Sequence, residues 1–508
     1  MGRALLGCHT HSVFPPSPSK RPLRRRSEAG GPCSKKRKSA AEGRGPEATA
    51  DPPLEAAEGG GAGDRISGLP DGVLGDIVSL LPTREGARTQ ILSSRWRHLW
   101  RSAPLNLDHH ELCDKKYQLD SVVSRILATH PGPGRRFCAT VYHLHRDRAD
   151  AWLRSPALDN LHELELCSFK YKYILPYPRG IPQPAPPPAA AFRFSDTLGV
   201  ATIGECHIPD SMAQALFFPK LKKLGLEKIT ISESTLHAMI DGCPALECLL
   251  IYRCSGFRCV RINSISLRGI GVEAYWGELI ILEEVIIENA PCLERLLLFG
   301  SAESRHISVI SAPKLETLGC LSSYSSNTFT LYSTVIQGLR VDSLTKTVCT
   351  VKVLSVCMGA LSLDVVIDLM RCFPCLERLY IESIKPGKKN LWRRKHQNLI
   401  RSLDIRLKTI DWRYYVGTKS DVDFATFFLL NARVLELMTL QVYHSNFKEE
   451  FFTRQREKLQ LDKKASGGAR LHFTTDHFHG SFTDFCVRDL DLADPFERNY
   501  PYQFHAFS

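Results

Sequence analysis

Cys372 and Cys375 have two residues between them, the C-x-x-C spacing that redox centres and zinc sites use. A zinc site of that kind needs a second pair, and the sequence offers none. Leu376-x-x-Leu379-x-Ile381 follows at once, so the two thiols are expected to be structural. His109, His110 and Cys113 form one further group of metal-capable side chains, and His472, His477 and His479 another. Neither has partners at a recognised ligand spacing. There is no phosphate-cradling G-x-x-x-x-G-K-[ST] loop, no G-x-S-x-G nucleophile elbow and no H-E-x-x-H helix. The chain is therefore expected to be non-catalytic, with no metal and no cofactor, and its function must come from surfaces.

The 508 residues leave room for two or three domains, and a hydrophobic fraction of 43% is ordinary for globular protein. No apolar run is long enough to span a membrane. MGRALLGCHTHSVF is too short and too polar in its apolar part to act as a secretory signal. The 17 cysteines are odd in number, scattered and mostly embedded in leucine-rich patterns, which predicts reduced, buried thiols in a nuclear or cytosolic protein. The net charge of +12 suggests nucleic acid until it is located. Residues 1–63 hold eleven Lys and Arg against six acids, whereas residues 64–108 hold six Arg against five. A three-helix DNA reader concentrates positive charge on its recognition helix, so nucleic-acid binding by the second segment is not expected.

Residues 1–63 are rich in Pro, Gly, Ala, Ser and charge and are predicted to be a disordered basic tail. Arg24, Arg25 and Arg26, then Lys35, Lys36, Arg37 and Lys38, resemble a bipartite nuclear-import signal with a short spacer. A merely solvated tail reads equally well.

Residues 64–108 predict three short helices. Val73, Leu74, Ile77, Leu80 and Leu81 recur at helical spacing, Pro82 ends the run and Thr83 is placed to cap a second helix. Ala87 and Ile91, then Trp96, Leu99 and Trp100, continue the apolar stripes. A module of about 40 residues cannot bury enough area to stand alone, so a leftover apolar face reads as a docking surface. The Leu69-Pro70 pair, Leu74 and Ile77, the Leu81-Pro82-Thr83 turn and the Leu92-Ser93-Ser94-Arg95-Trp96-Arg97 run with Leu99 and Trp100 resemble an F-box. Gly72, Gly75 and Gly86 depart from that pattern; each costs about 1 kcal/mol relative to alanine inside a helix. The resemblance implies docking to a Skp-type adaptor, and through it to a cullin-RING ubiquitin ligase. The implied contacts are Leu69, Pro70, Leu74, Ile77, Leu81, Pro82, Leu92 and Trp96.

A mixed connector is expected over 109–157. From 158 to 399 the chain repeats L-x-x-L-x-L: copies begin at Leu161, Leu221, Leu246, Leu267, Leu293, Leu315, Val351, Leu376 and Ile400. Between Leu221 and Leu315 they advance by 21 to 26 residues, within the range of about 20 to 29 that leucine-rich repeats use. In each copy the three apolar positions point inward, and no copy buries its face without a neighbour. Cys254 falls where such repeats tie off the turn, and prolines 244, 291 and 374 stand just before strands, where no ladder donor is needed. The register between Leu315 and Val351 stays open. A proline-rich insertion, 171–191, reads as a loop.

Residues 400–475, above all Phe424-Ala425-x-Phe427-Phe428-Leu429-Leu430-Asn431-Ala432-x-Val434-Leu435-Glu436, resemble the FBD region that follows such repeats in plant F-box proteins. Phe424, Phe427, Phe428 and Leu430 predict a buried helix, Val434, Leu435 and Leu437 the next strand, and the segment around Arg454 to Arg456 a final surface helix. Residues 476–508 are expected to be a tail.

The fold class expected is thus α/β: a three-helix F-box, a horseshoe-like leucine-rich-repeat solenoid and an α+β FBD-like region behind a disordered tail. The expected function is a substrate receptor of a Skp-cullin-F-box ligase, nuclear or cytoplasmic, with Lys222, Lys223, Glu247, Cys248, Glu294 and Arg295 as candidates for a target-facing surface. A non-degradative F-box scaffold, or a nuclear interaction protein that ubiquitylates nothing, is the alternative.

Overall fold

The computed structural model describes residues 66, 68–108, 112, 116–140, 146–167, 184–274, 282–299, 305–324, 326–344, 346–385, 387, 403–475 and 485–497. The basic clusters at 24–26 and 35–38, His109, His110, Cys113, His477, His479 and most of the 171–191 insertion lie outside these residues.

Three helices open the described chain: α1, Asp71–Leu80; α2, Thr83–Arg88; and α3, Ser94–Ser102. Behind them runs one parallel sheet of 14 strands. In chain order these are β1 (Leu105–Asp108), β2 (Gly134–Thr140), β3 (Glu163–Cys167), β4 (Val200–Gly204), β5 (Lys223–Glu227), β6 (Cys248–Cys254) and β7 (Gly269–Ala274). They continue as β8 (Arg295–Phe299), β9 (Thr317–Ser322), β10 (Val353–Ala360), β11 (Arg378–Lys385), β12 (Thr409–Arg413), β13 (Leu437–Val442) and β14 (Arg470–Thr475). Each pairs with the next, so every repeat adds one strand to the edge its predecessor left open.

The repeated leucines fix the register. Leu164, Ala201, Leu224, Leu249, Ile270 and Leu296 are paired in one continuous row. Leu318, Leu354, Leu379, Ile410, Met438 and Leu471 extend it. All but the half-buried Leu471 lie in the main hydrophobic core; side chains of this kind contribute about 1.5–3 kcal/mol each when fully buried. The opposite side of that core is closed by helices at Glu233–Asp241, Leu363–Cys372 and Lys419–Asn431, and by a second sheet of six strands between Cys259 and Ser343. Cys254 ties off its turn as expected: it is buried and its thiol donates to the Leu226 carbonyl at 3.3 Å.

Several expected boundaries are corrected. The solenoid sheet begins at Leu105 rather than Leu158, because Leu107 pairs with Phe137 and Phe137 with Leu164. The helical module therefore ends before Asp108, and the 109–157 connector contains a solenoid strand, β2, at Gly134–Thr140. At the other end the FBD-like region is no separate layer: β12, β13 and β14 continue the same sheet. Of the copy placed at Ile400, Ile400 itself lies outside the described residues and Leu403 and Ile405 stand in no strand; it is Ile410 and Trp412 that pair with Leu379 and Ile381, giving a copy Leu407-x-x-Ile410-x-Trp412. In β9 the register slips between Leu318 and Leu321, so Leu321 enters the main core and Cys320 faces the other way. The open stretch after Leu315 is filled by strands Thr328–Leu331, Thr334–Gln337 and Arg340–Ser343 of the second sheet, each antiparallel to the next.

In the FBD-like region Phe424, Phe427 and Phe428 are buried on their helix as expected, with Leu430 half-buried. Val434 and Leu435 precede the strand rather than start it. The helix Glu449–Lys458 is not final, because β14 follows it, and its Phe452 and Gln455 are buried.

Candidate functional site

The helical module has a small core of its own. Leu74 and Val78 of α1 pack against Trp96 and Leu99 of α3 and against Ala103, with Leu69 and Trp100 at its margin. Arg95 fastens α3 to the start of α1: its Nε donates to Asp71 Oδ1 at 2.6 Å and its Nη2 to the Leu69 carbonyl. Helix α2 starts at Thr83 with Pro82 before it and no side-chain cap, so Thr83 does not cap. Its hydroxyl instead donates to the Asn106 carbonyl, while the Asn106 amide donates to the Ser79 carbonyl. These bonds tie the module to β1. Gly86 permits a second close approach: a Cβ there would lie 2.5 Å from Cζ3 of Trp100.

That core leaves an apolar surface uncovered. Ile91, Leu80 and Leu92 are 84%, 70% and 63% exposed, and Val73 and Ile77 are also exposed. Pro70 and Pro82 stand in solvent, and Leu69 and Leu81 are half-buried. Of the expected contact residues, Leu74 is fully enclosed and Trp96 is 8% exposed, both in the module's own core. They build the platform from which the exposed side chains project.

The six residues expected to face a target divide into two groups. Lys222 pairs with Glu247 at 2.8 Å, and Arg268 pairs with Glu294 at 2.9 Å. The same step recurs between Lys352 and Glu316 and between Lys408 and Glu377. These are links between consecutive repeats at the strand starts; such partly exposed pairs contribute about 0–1 kcal/mol each. Cys248, Arg295 and Lys223 lie on the outer sheet face, where residues 485–497 reach them. Within the tail expected over 476–508, residues 485–497 are thus packed on the sheet.

The outer face is polarised. On β3, Glu165 is held at about 2: burial alone would raise it, but the Arg136 and Arg488 guanidiniums beside it pull it down. Arg136 lies 3.2 Å from Asp108 and 3.3 Å from Glu165. On β11, Tyr380 and Arg378 bind the carboxylate of Asp494. Sequence reasoning missed Glu163, Glu165, Tyr380, Arg488 and Asp494. The available signal was the outward Leu250 and Leu297, apolar where a solvated strand face is polar.

Cys372 is buried and Cys375 half-buried, both as free thiols, and burial pushes Cys372 up to about 11. A thiol so resistant to ionisation is a poor nucleophile and metal ligand. Among the described residues no group of three or more His, Cys, Asp or Glu side chains is placed to hold a metal, and no helix is long and apolar enough to cross a membrane.

Residues 149–381 match the family model for the LRR repeats of FBD-associated F-box protein At5g56370, and residues 395–440 match that of FBD. The F-box/FBD/LRR-repeat protein At3g52680 of Arabidopsis thaliana is 25% identical over 439 residues, 81% of this chain and 94% of the relative. The F-box/FBD/LRR-repeat protein At5g56420 of the same plant is 25% identical over 73% of this chain and 89% of its own. F-box/LRR-repeat protein At3g03360, also from Arabidopsis thaliana, is 27% identical over 40% of this chain and 41% of its own.

Proposed function

The chain carries the leucine-rich repeats and the FBD region of F-box/FBD/LRR-repeat proteins, and on that footing we propose that it is the substrate-receptor subunit of a Skp-cullin-F-box type ubiquitin ligase. The helical module, residues 66–103, is its F-box and docks on a Skp-type adaptor. The solenoid sheet presents the target, and the receptor itself performs no chemistry. It acts by proximity, holding an acceptor lysine near a charged conjugating enzyme supplied by other subunits. Nuclear import through Arg24–Arg26 and Lys35–Lys38 belongs to the same proposal.

One observation carries this reading: Leu80, Ile91 and Leu92 each stand in solvent on a module whose own core is already closed by Leu74, Val78, Trp96 and Leu99. Exposing side chains of that size opposes folding, and so many large apolar side chains in solvent on so small a module point to an interaction site. The test is binding of the purified full chain to a Skp-type adaptor, comparing wild type with Ile77→Glu plus Leu92→Glu. Wild type should bind. Loss of two apolar anchors should weaken binding at least about tenfold, with an unchanged melting temperature because neither side chain belongs to the core. Wild type that does not bind, or a double variant that binds equally well, removes the reading.

A further inference from the structure

Residues 485–497 lie across the outer face of the solenoid sheet without joining it. They form a short 3-10 helix, Val487–Asp491, followed by bends and turns, and contribute no strand. What holds them is side-chain contact. Phe485 stacks on Phe299 of β8 with ring centroids 4.8 Å apart, and Phe496 lies 5.1 Å from Tyr380 of β11. Leu490 is completely buried between them. The floor beneath Leu490 is opened by two glycines of β7. A Cβ at Gly269 would fall 2.8 Å from the Leu490 carbonyl oxygen, and one at Gly271 would fall 3.2 Å from Leu490 Cδ2.

Charges are matched along the same path. Near β3 the groove is acidic: Arg488 pairs with Glu163 at 2.8 Å and with Glu165. Beyond it the groove is basic. Lys223 pairs with Asp491 at 2.7 Å, and Arg378 reaches Asp494 at 3.0 Å and Glu497 at 2.8 Å. The Tyr380 hydroxyl donates to Asp494 at 2.8 Å. A guanidinium, then a leucine, then carboxylates beside an aromatic ring is the order this surface is built to receive.

We propose that this groove is the target-recognition site and that residues 485–497 are its internal occupant, displaced by a target segment carrying the same order of groups. The inference rests on the reading above only in calling the displacing partner a ligase target; the groove and its occupant are independent of the adaptor. Because the hold consists of side chains, with no ladder of backbone hydrogen bonds, a peptide presenting those side chains can replace it. The tethered segment competes at an effective concentration of about millimolar.

The experiment uses the full chain and a fluorescein-labelled peptide of residues 485–497, with Cys486 replaced by Ser, followed by fluorescence anisotropy. Arg488→Glu plus Asp494→Lys reverses the charge at both anchors and should release the internal segment. The peptide should then bind this variant at least about tenfold more tightly than it binds wild type. Adding Arg378→Glu to the released variant should abolish binding. Equal binding to wild type and the released variant overturns the proposal, as does no binding to a released variant that melts like wild type. Loss of cooperative unfolding in the released variant also overturns it, because the segment would then be a fixed part of the core. Adaptor binding measured on the same proteins keeps the ligase reading separate: its failure would leave the peptide result standing.

Discussion

The indole of Trp100 meets the imidazole of His130 edge to face, with ring centroids 5.2 Å apart, and the same imidazole bonds the Trp100 carbonyl through Nε2 at 3.1 Å. Nδ1 accepts from the Gly132 backbone N–H at 3.2 Å. This contact joins the last helix of the helical module to the turn that leads into β2. Burial lowers the pKa of His130, and the bonds to Trp100 and Gly132 offset it only in part. The neutral ring is therefore the folded form. Its stabilisation is complete above the ordinary histidine value and is lost as pH falls through the lowered one. Indole fluorescence and hydrogen exchange in Ser94–Ser102, compared at neutral and at acidic pH, should show the junction loosening as pH falls below about 6.5. His130→Gln should flatten that dependence; a junction equally tight at both pH values in wild type would contradict the assignment.

The glycines of the module should separate by position. A Cβ at Gly86 meets the Trp100 ring, whereas at Gly72 and Gly75 it meets nothing within 4 Å. Gly72→Ala and Gly75→Ala should each stabilise the folded chain by about 0.5–1 kcal/mol, the usual gain over glycine inside a helix. Gly86→Ala should destabilise by about 1–3 kcal/mol through overpacking. Chemical denaturation of the three single variants checks the order, and the same sign at all three sites would refute it.

The displaced repeat offers a direct comparison. Leu407 is fully buried and shares the core with Ile410 and Trp412, while Leu403 only packs at its edge. Leu407→Ala should cost about 2–5 kcal/mol, the range for an enclosed leucine. Leu403→Ala should cost roughly half of that or less, in proportion to the smaller area it buries. Reversed magnitudes would restore the register that begins at Ile400.

The L-x-x-L-x-L rhythm was legible wherever the inward residues are aliphatic, because periodicity reports which face is buried. It failed where a core position is filled by something else. The copy containing Ala201 and Ile203 and the one containing Ile410 and Trp412 depart from the pattern for that reason. The bulge that turns Cys320 outward changes facing without changing composition. In the helical module the element boundaries were legible, but five apolar positions on the ten residues of α1 cover more than one face. Only the packing of Trp96 and Leu99 decides that Leu74 goes in and Leu80 stays out. The groove under Leu490 was invisible, since Arg488 and Glu163 meet across 325 residues and nothing local in either segment records the partner.

Tyr415 and Gln455 form a buried polar pair in the FBD region that should behave as a unit. The Tyr415 hydroxyl donates to Gln455 Oε1 at 2.9 Å, and neither residue reaches solvent. Burial, reinforced by the nearby Asp421 carboxylate, pushes the phenol well above its ordinary pKa, so it remains a donor at any working pH. Tyr415→Phe keeps the ring that packs on Trp412 but leaves the Gln455 carbonyl without its donor. An unmet buried acceptor costs about 1–3 kcal/mol. Changing both, as Tyr415→Phe with Gln455→Met, removes donor and acceptor together and should recover much of that loss, because two apolar groups of similar shape need no bond. Gly417→Ala should be worse than either, since its φ of +80° disfavours a side chain and the new Cβ would sit 2.4 Å from Gln455 Nε2. A double-mutant cycle in urea measures the coupling directly, and strictly additive losses would show that the pair does not act as one.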